Sequence, residues 1–346
     1  MDKSVVFAVA GSGKTTRIID SLTEDRRFLI LTFTDNNLAN LKRKIVERFG
    51  YMPRGIGLFS YFSFLHSFCY RPFFAMEMKT KGFNWHLPPT WTSSISREKE
   101  AYYVDGSRRL YYGRLALFLD KRNMIGDIVA RIEKYFDVLM VDEVQDFAGH
   151  DFNFLDAVVK RASMDVLLVG DFYQHTFDTS RDGPTNRTLH DNYAKYRKRF
   201  LQMGLKIDDV SLVKSRRCAP ATCAFIRDKL GIEMEAYGEL ESTIELVTEQ
   251  KRADELFACK ETVKLFYQEH SKYVCLSQNW GGSKGLDHYY DVCIVLNAPV
   301  LKAYKKNDFA EIKAQTRNKF YVACTRARRH LFFVPETLLK KHKSNQ

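Results

Sequence analysis

The 346-residue sequence has seven cysteines, at 69, 218, 223, 259, 275, 293 and 324, and no two stand at C-x-x-C or other metal-ligand spacing. That argues against a structural zinc and points to a reducing, cytoplasmic compartment. Cys293 sits inside an apolar run and reads as core filler. No apolar stretch approaches the roughly 20 residues that cross a bilayer, so no membrane partner is expected. The first apolar strand follows Met1-Asp2-Lys3-Ser4 directly, so no secretory leader is expected. There is no internal repeat and no low-complexity tract. Acidic residues are the scarcer charge: 42 Asp and Glu face 54 Lys and Arg, a formal net charge of +12. A pI of about 9.2 suits an anionic partner such as nucleic acid. Hydrophobic residues make up 45% of the chain, which excludes disorder and supplies two ordinary domains with cores.

Apolar strands recur at Val5–Val9, Phe28–Phe33, Val138–Val141 and Val166–Val169. Residues 36–49 place Leu38, Leu41, Ile45 and Phe49 at helical spacing. Buried strands alternating with helices predict an α/β fold with parallel sheets flanked by helices. A second set, Ile244–Val247, Tyr273–Leu276, Val292–Leu296 and Leu331–Val334, predicts a second α/β domain. The region 58–134 is rich in Phe, Tyr and basic residues and is expected to be a mainly helical insertion. This gives a first domain of 1–57 plus 135–204 and a second of 205–346. Residues 181–186, Arg-Asp-Gly-Pro-Thr-Asn, read as an exposed turn-rich loop. The basic tail Lys340-Lys341-His342-Lys343 is expected to fray.

The densest signal is Ala8-Val9-Ala10-Gly11-Ser12-Gly13-Lys14-Thr15, between an apolar strand and the helix that Thr16 opens. Strand, glycine-rich turn and helix form the setting of a phosphate-binding loop. Backbone N–H groups from Ala10 to Thr16 would face the phosphates, helped by the helix N-terminus. Lys14 would reach the β and γ phosphates of ATP, and the Thr15 hydroxyl would ligate Mg²⁺. Ala8 stands where this loop usually starts with glycine. A second strand ends in Asp142-Glu143-Val144-Gln145-Asp146. Asp142 suits Mg²⁺ at a strand tip, and Glu143 suits orientation of the attacking water.

Taken in order, these segments resemble a superfamily 1 helicase of the UvrD/Rep/PcrA type. The loop at 8–15 resembles motif I, and Leu31-Thr32-Phe33-Thr34-Asp35-Asn36 resembles motif Ia. Phe64-Leu65-His66-Ser67-Phe68 resembles a strand-contacting segment, and Asp142–Asp146 resembles motif II. Val169-Gly170-Asp171-Phe172-Tyr173-Gln174 is similar to motif III, and Leu212–Arg217 to motif IV. Ser283-Lys284-Gly285-Leu286-Asp287 is similar to motif V, and residues 321–327, Tyr-Val-Ala-Cys-Thr-Arg-Ala, to motif VI. The resemblance implies two RecA-like P-loop NTPase domains with a small 1B-like insertion, and ATP and Mg²⁺ as cofactors.

By that resemblance Gln174 senses the γ-phosphate and Arg326 reaches it from the second domain. Arg217, or its neighbour Arg216, would add a second charge. Arg326 also reads as part of a solvated basic face with Arg328, Arg329 and His330. Arg216 stands where the family stacks a tyrosine on adenine, and would stack by cation–π contact. Gly285 and Asp287 would approach the nucleotide, with Asp287 in place of a glutamate. Gly281 stands where the family has a histidine, and the family's upstream adenine-reading glutamine is absent. Phe33, Thr34, His66 and Phe177 match positions that line single-stranded DNA. Phe62 and Phe64 are aromatic neighbours of a kind more often found in cores.

About 57 residues separate Ile226 from Ser283, too few for the family's 2B subdomain. The sequence therefore predicts a DNA-dependent ATPase and translocase, 3′ to 5′ by resemblance, with weak unwinding. The rival expectation is a DNA- or nucleotide-sensing regulatory ATPase that partners a nuclease, as in Gabija-type antiphage systems. A P-loop kinase would leave the later motifs without a role.

Overall fold

The tip of the first strand, Phe7, already belongs to a different structural unit from its base. In the computed structural model, which describes residues 2–177 and 182–344, the chain divides into two units. One comprises Met1–Val6, Thr15–Gly170 and Asp178–Asp208; the other comprises Phe7–Lys14, Asp171–Phe177 and Asp209–Gln346.

The first unit is built on a six-stranded sheet. Its strands are β1 (Lys3–Phe7), β2 (Phe28–Thr32), β3 (Ile56–Ser60), β6 (Val138–Val141), β7 (Asp165–Gly170) and β8 (Lys206–Asp208), in the order β3-β2-β6-β7-β1-β8. Two short strands, β4 (Phe83–Asn84) and β5 (Leu110–Tyr111), pair apart from it. β2 runs parallel to β3 and β6, as β6 does to β7 and β1 to β8. Every residue of β2 and β6 is buried, as expected for strands covered on both faces. Helix Asp35–Phe49 buries Leu41 and Ile45 and ends on Gly50, whose φ of 79° is the left-handed cap that glycine adopts without strain. Between β3 and β6 the chain is mostly helical, with Arg71–Met78, Leu115–Lys121 and Ile125–Tyr135. A π-helical stretch, Phe64–Tyr70, carries His66; such wide turns are frequent at functional positions.

The second unit holds a five-stranded parallel sheet of β11 (Ile244–Leu246), β12 (Val263–Phe266), β13 (Ser277–Asn279), β14 (Val292–Leu296) and β15 (Leu331–Pro335), ordered β11-β15-β14-β12-β13. β9 (Lys214–Ser215) and β10 (Glu235–Ala236) form a separate parallel pair. Cys293 is buried in β14, and burial pushes its thiol up to about 12, as suits core filler.

Three local expectations change. Tyr273–Leu276 is not a strand; β13 begins one residue later, and Tyr273 instead stacks on Phe266 at 4.1 Å. β12 went unrecognised because Lys264 interrupts its apolar run. That lysine is buried, and its Nζ donates to the Cys259 carbonyl, which satisfies the ammonium inside the fold. The basic tail is held rather than frayed: Lys341 and His342 meet Asp254 at 2.7 and 2.9 Å, and His342 stacks on Phe257. Of the loop at 181–186, Arg181 lies outside the described residues. Asp182 is anchored by the buried Arg114 guanidinium at 2.6 Å. Among the described residues no helix is long and apolar enough to cross a membrane.

Candidate nucleotide and nucleic-acid site

In the first unit, β6 delivers Asp142 and Glu143 at its C-terminal end. Asp142 is buried, and its Oδ1 accepts the Glu143 N–H at 3.0 Å. That bond closes a tight turn in which Glu143 adopts φ 56°, ψ 47°. A left-handed non-glycine residue costs roughly 1–2 kcal/mol and is concentrated where function requires it. Buried Gln145 donates its Nε2–H to Glu143 Oε2, orienting the carboxylate. Sequence reasoning gave Gln145 no role, since a glutamine two residues from a glutamate is a common pattern.

Gly170, at the end of β7, makes that arrangement possible. A Cβ there would lie 2.8 Å from Val144 Cγ1 and closer still to Gln145 Oε1. Gly170→Ala is therefore expected to displace Gln145 and lower the melting temperature. Calorimetry checks this, and an unchanged melt would show that the contact gives way freely.

In the second unit, the first half of the glycine-rich loop is tied to the segment around Ser215. Gly11 O accepts the Arg216 N–H at 2.9 Å, and Ala10 O accepts the Ser215 hydroxyl at 2.8 Å. The Ala10 N–H donates to Tyr321 Oη at 2.9 Å, so both backbone groups of Ala10 serve the fold. Gly11 has φ 73°, and a Cβ would lie 2.6 Å from Arg217 Cβ; glycine fits on both counts. Gly13 has φ 99° and Gly285 φ 83°, also conformations suited to glycine. Ser12 Oγ donates back to Val9 O at 2.8 Å, and Lys14 is buried. Thr15 and Thr16 lie in the helix Lys14–Asp20.

Tyr321 then donates its O–H to Asp171 Oδ2 at 2.9 Å, and Gln174 Nε2 donates to the same oxygen at 2.9 Å. A buried polar relay thus joins the loop backbone, Asp171 and Gln174. Tyr321 and Ser215 were not expected to take part, because nothing in their local sequence marks a partner 150 or more residues away.

Asp287 meets two arginines: Arg217 Nη2 at 2.7 Å and Arg326 Nη1 at 3.0 Å, both on Oδ1. Here Asp287 serves as an ion-pair partner. Arg326 is 1% exposed and also donates to the Val322 and Leu286 carbonyls, at 3.1 and 3.3 Å. The solvated-face reading of Arg326 is thereby excluded. Burial, and then the neighbouring Arg217 charge, lower its pKa to about 10, so it stays cationic at neutral pH. Arg216 lies over the Tyr237 ring at 4.4 Å.

The expected strand-contacting residues fall in different settings. Phe33 is 7% exposed, ringed by Tyr61, Phe62 and Phe147 at 5.3–5.6 Å, which leaves little of its face open. Thr34 caps helix Asp35–Phe49, its hydroxyl accepting the Asn37 N–H at 3.2 Å. His66 is partly exposed, against Tyr70 and Phe83. Phe177 is 49% exposed and packs on Gly281, where a Cβ would sit 3.0 Å from its ring. That contact gives a reason for glycine at 281.

Burial, then the Arg71 charge, lower the His66 pKa below its ordinary 6.5. Burial, then Arg97, lower that of His150, against opposing contributions from Asp182 and Asp120. Both rings take up protons less readily in the fold than in the unfolded chain. Their contribution to stability is present above pH 6.5 and is lost as pH falls through the depressed values. The melting temperature is expected to fall between pH 7.5 and 5.5, and less so in His150→Asn. An equal fall in the variant would remove His150 from that account.

Thr15 and Asp142 are oxygen donors of the kind Mg²⁺ takes. Among the described residues no group of three or more His, Cys, Asp or Glu could hold a metal by itself.

The family model described as "Viral superfamily 1 RNA helicase core domain" matches residues 120–334. The chain belongs to this superfamily 1 helicase family. Its glycine-rich loop lies outside the matched span. No curated protein matches the sequence. Among solved structures the chain is similar to the PRRSV helicase, at 12% identity and a TM-score of 0.49, covering 98% of this chain and 53% of that one. It is also similar to arterivirus nonstructural protein 10 (helicase) in complex with DNA, at 13% identity and a TM-score of 0.49, covering 96% and 60%. The chain thus spans between half and three-fifths of the length of these relatives.

Proposed function

We propose that the chain is an ATP-hydrolysing motor that moves along a single nucleic-acid strand. The observation that carries this is the joining of the glycine-rich loop to the arginine-bearing segment: Gly11 O and Arg216 N–H meet at 2.9 Å, and Arg217 and Arg326 share Asp287. Such a site concentrates cationic donors where phosphate charge develops.

In this reading the backbone of residues 11–16 holds the phosphates, and Lys14 neutralises the β and γ groups. Thr15 and Asp142 hold the Mg²⁺ that accompanies ATP. Glu143 accepts a proton from the attacking water, with Gln145 fixing its carboxylate. Arg217 and Arg326 leave Asp287 for the γ-phosphate as its charge grows. Gln174 reports phosphate occupancy through Asp171 to Tyr321. Arg216, backed by Tyr237, stacks on the base, which favours a π-face over any one purine edge. His66 and Phe177 contact the strand. The UvrD-type motif order supports DNA and 3′-to-5′ movement, whereas the family's description supports RNA.

The test is steady-state ATP hydrolysis with Mg²⁺ alone and with oligo(dT) or oligo(U). Turnover is expected to rise with at least one strand. Strand affinity is expected to fall steeply with salt, since a chain of net charge +12 releases counterions on binding. A folded chain that hydrolyses no ATP with either strand would overturn the proposal. A 3′-tailed and a 5′-tailed duplex, compared in strand displacement, read polarity. Weak displacement is expected, because residues 226–283 supply β10 to β13 of the second unit and leave no separate accessory subdomain.

A further inference from the structure

Within the first unit an exposed aromatic face lies beside His66, and no sequence motif marks it. Trp85 is 60% exposed. Its ring rests on Phe83 at 5.0 Å, on Phe62 at 5.4 Å and on Tyr112 at 5.5 Å. Phe83 in turn lies 5.1 Å from His66. The indole is held from below, not left on a loose loop. Asn84 donates to Asp105 Oδ2 at 2.8 Å and accepts the His86 N–H at 2.9 Å, which fixes the backbone on both sides of Trp85. An indole supported on one side and open on the other is a large, rigid stacking surface that loses little entropy on binding.

Cations border this face. The Lys81 N–H donates to Arg108 O and the Leu110 N–H donates to Gly82 O, which ties the backbone just before β4 to the chain leading into β5. Lys81 thus stands two residues before Phe83 and is exposed. Arg71 acts electrostatically on His66. Neighbouring Arg108, Arg109 and Arg114 are neutralised by Glu100, Asp105 and Asp182. Arg71 and Lys81 are exposed and stand in no ion pair among the described residues. Aromatic rings beside uncompensated cations are what a single strand needs: π-faces for its bases and positive charge for its phosphates. An apolar protein segment would gain nothing from those cations.

We propose that Trp85 is a base-stacking contact for a single nucleic-acid strand, with Lys81 on the adjoining phosphate. The inference rests on the reading that the chain binds such a strand, and extends it to residues outside the motifs. The test is fluorescence anisotropy of labelled oligo(dT) and oligo(U) with the full chain. Trp85→Ala is expected to weaken binding roughly 5- to 150-fold, the loss of one stacked base. Trp85→Phe should retain most of the affinity. Lys81→Ala should lower the salt slope by about one phosphate contact, which Trp85→Ala leaves unchanged. ATP hydrolysis without a strand should stay at the wild-type rate in all three.

A readout without loss of the indole guards against misfolding. Trp280 is buried, so in Trp91→Phe the accessible tryptophan emission comes from Trp85. A bound strand should quench it. Wild-type affinity in Trp85→Ala, or unquenched emission at saturation, overturns the inference while strand binding stands. A wild-type chain that binds neither oligonucleotide overturns the parent reading, and this one with it.

Discussion

Replacing Arg326 by alanine is expected to lower kcat roughly 10³-fold with a smaller change in ATP affinity, the scale set by arginines that stabilise phosphoryl transfer. Its burial puts the guanidinium in a low-dielectric setting, where each charge-assisted bond is worth more than in water. Removing it does not strand a buried anion, because Asp287 is half exposed and keeps Arg217 at 2.7 Å. The variant should therefore fold, with a melt lowered by lost bonds to the Val322 and Leu286 carbonyls. Arg326→Lys separates charge from geometry. Lysine keeps the cation but loses the planar fork, so it should recover little of the turnover. Full recovery by lysine, or a loss seen only as unfolding in the melt, would make Arg326 a structural residue.

Glu143→Gln is expected to slow hydrolysis by at least ~10²-fold while Mg-ATP binding is kept, as follows from loss of a general base. The substitution is nearly isosteric, and a glutamine carbonyl can still accept from Gln145. A change in turnover thus reports the lost proton acceptor. Glu143→Gly probes the same position from the backbone. Glycine relieves the left-handed conformation but removes the carboxylate to which Gln145 donates, so no rise in melting temperature is expected and turnover should still be lost. Near-normal hydrolysis in Glu143→Gln would remove the residue from the role of base.

Where the sequence was legible, the signal was local. Strand, glycine turn and helix at 3–20 follow from apolar spacing and from residues that tolerate positive φ. The same holds for β2, β6, β14 and β15, whose runs of Val, Ile, Leu and Phe are buried on both faces. Local reasoning failed where a tertiary contact reversed the usual preference. Lys264 looked like a break in a strand, yet its ammonium finds a carbonyl inside the core. The tail at 340–343 looked free, yet Asp254, Glu269 and Phe257 hold it. Phe33 and Trp85 are both aromatic, and composition does not say which is enclosed. Neighbours from the insertion and the segment after β6 bury the first, and the turn after β4 leaves the second open.

By itself, the sequence determined the α/β class and the helicase superfamily, because each is written in residues adjacent along the chain. The tertiary structure alone decided what joins those segments. Tyr321 links Ala10 to Asp171, Asp287 holds Arg217 and Arg326 together, and Gly170 gives Gln145 the space to orient Glu143. The physical reason is that a hydrogen bond or ion pair is specified by distance and direction in space. Residues tens to hundreds of positions apart acquire those only once the buried strands have packed.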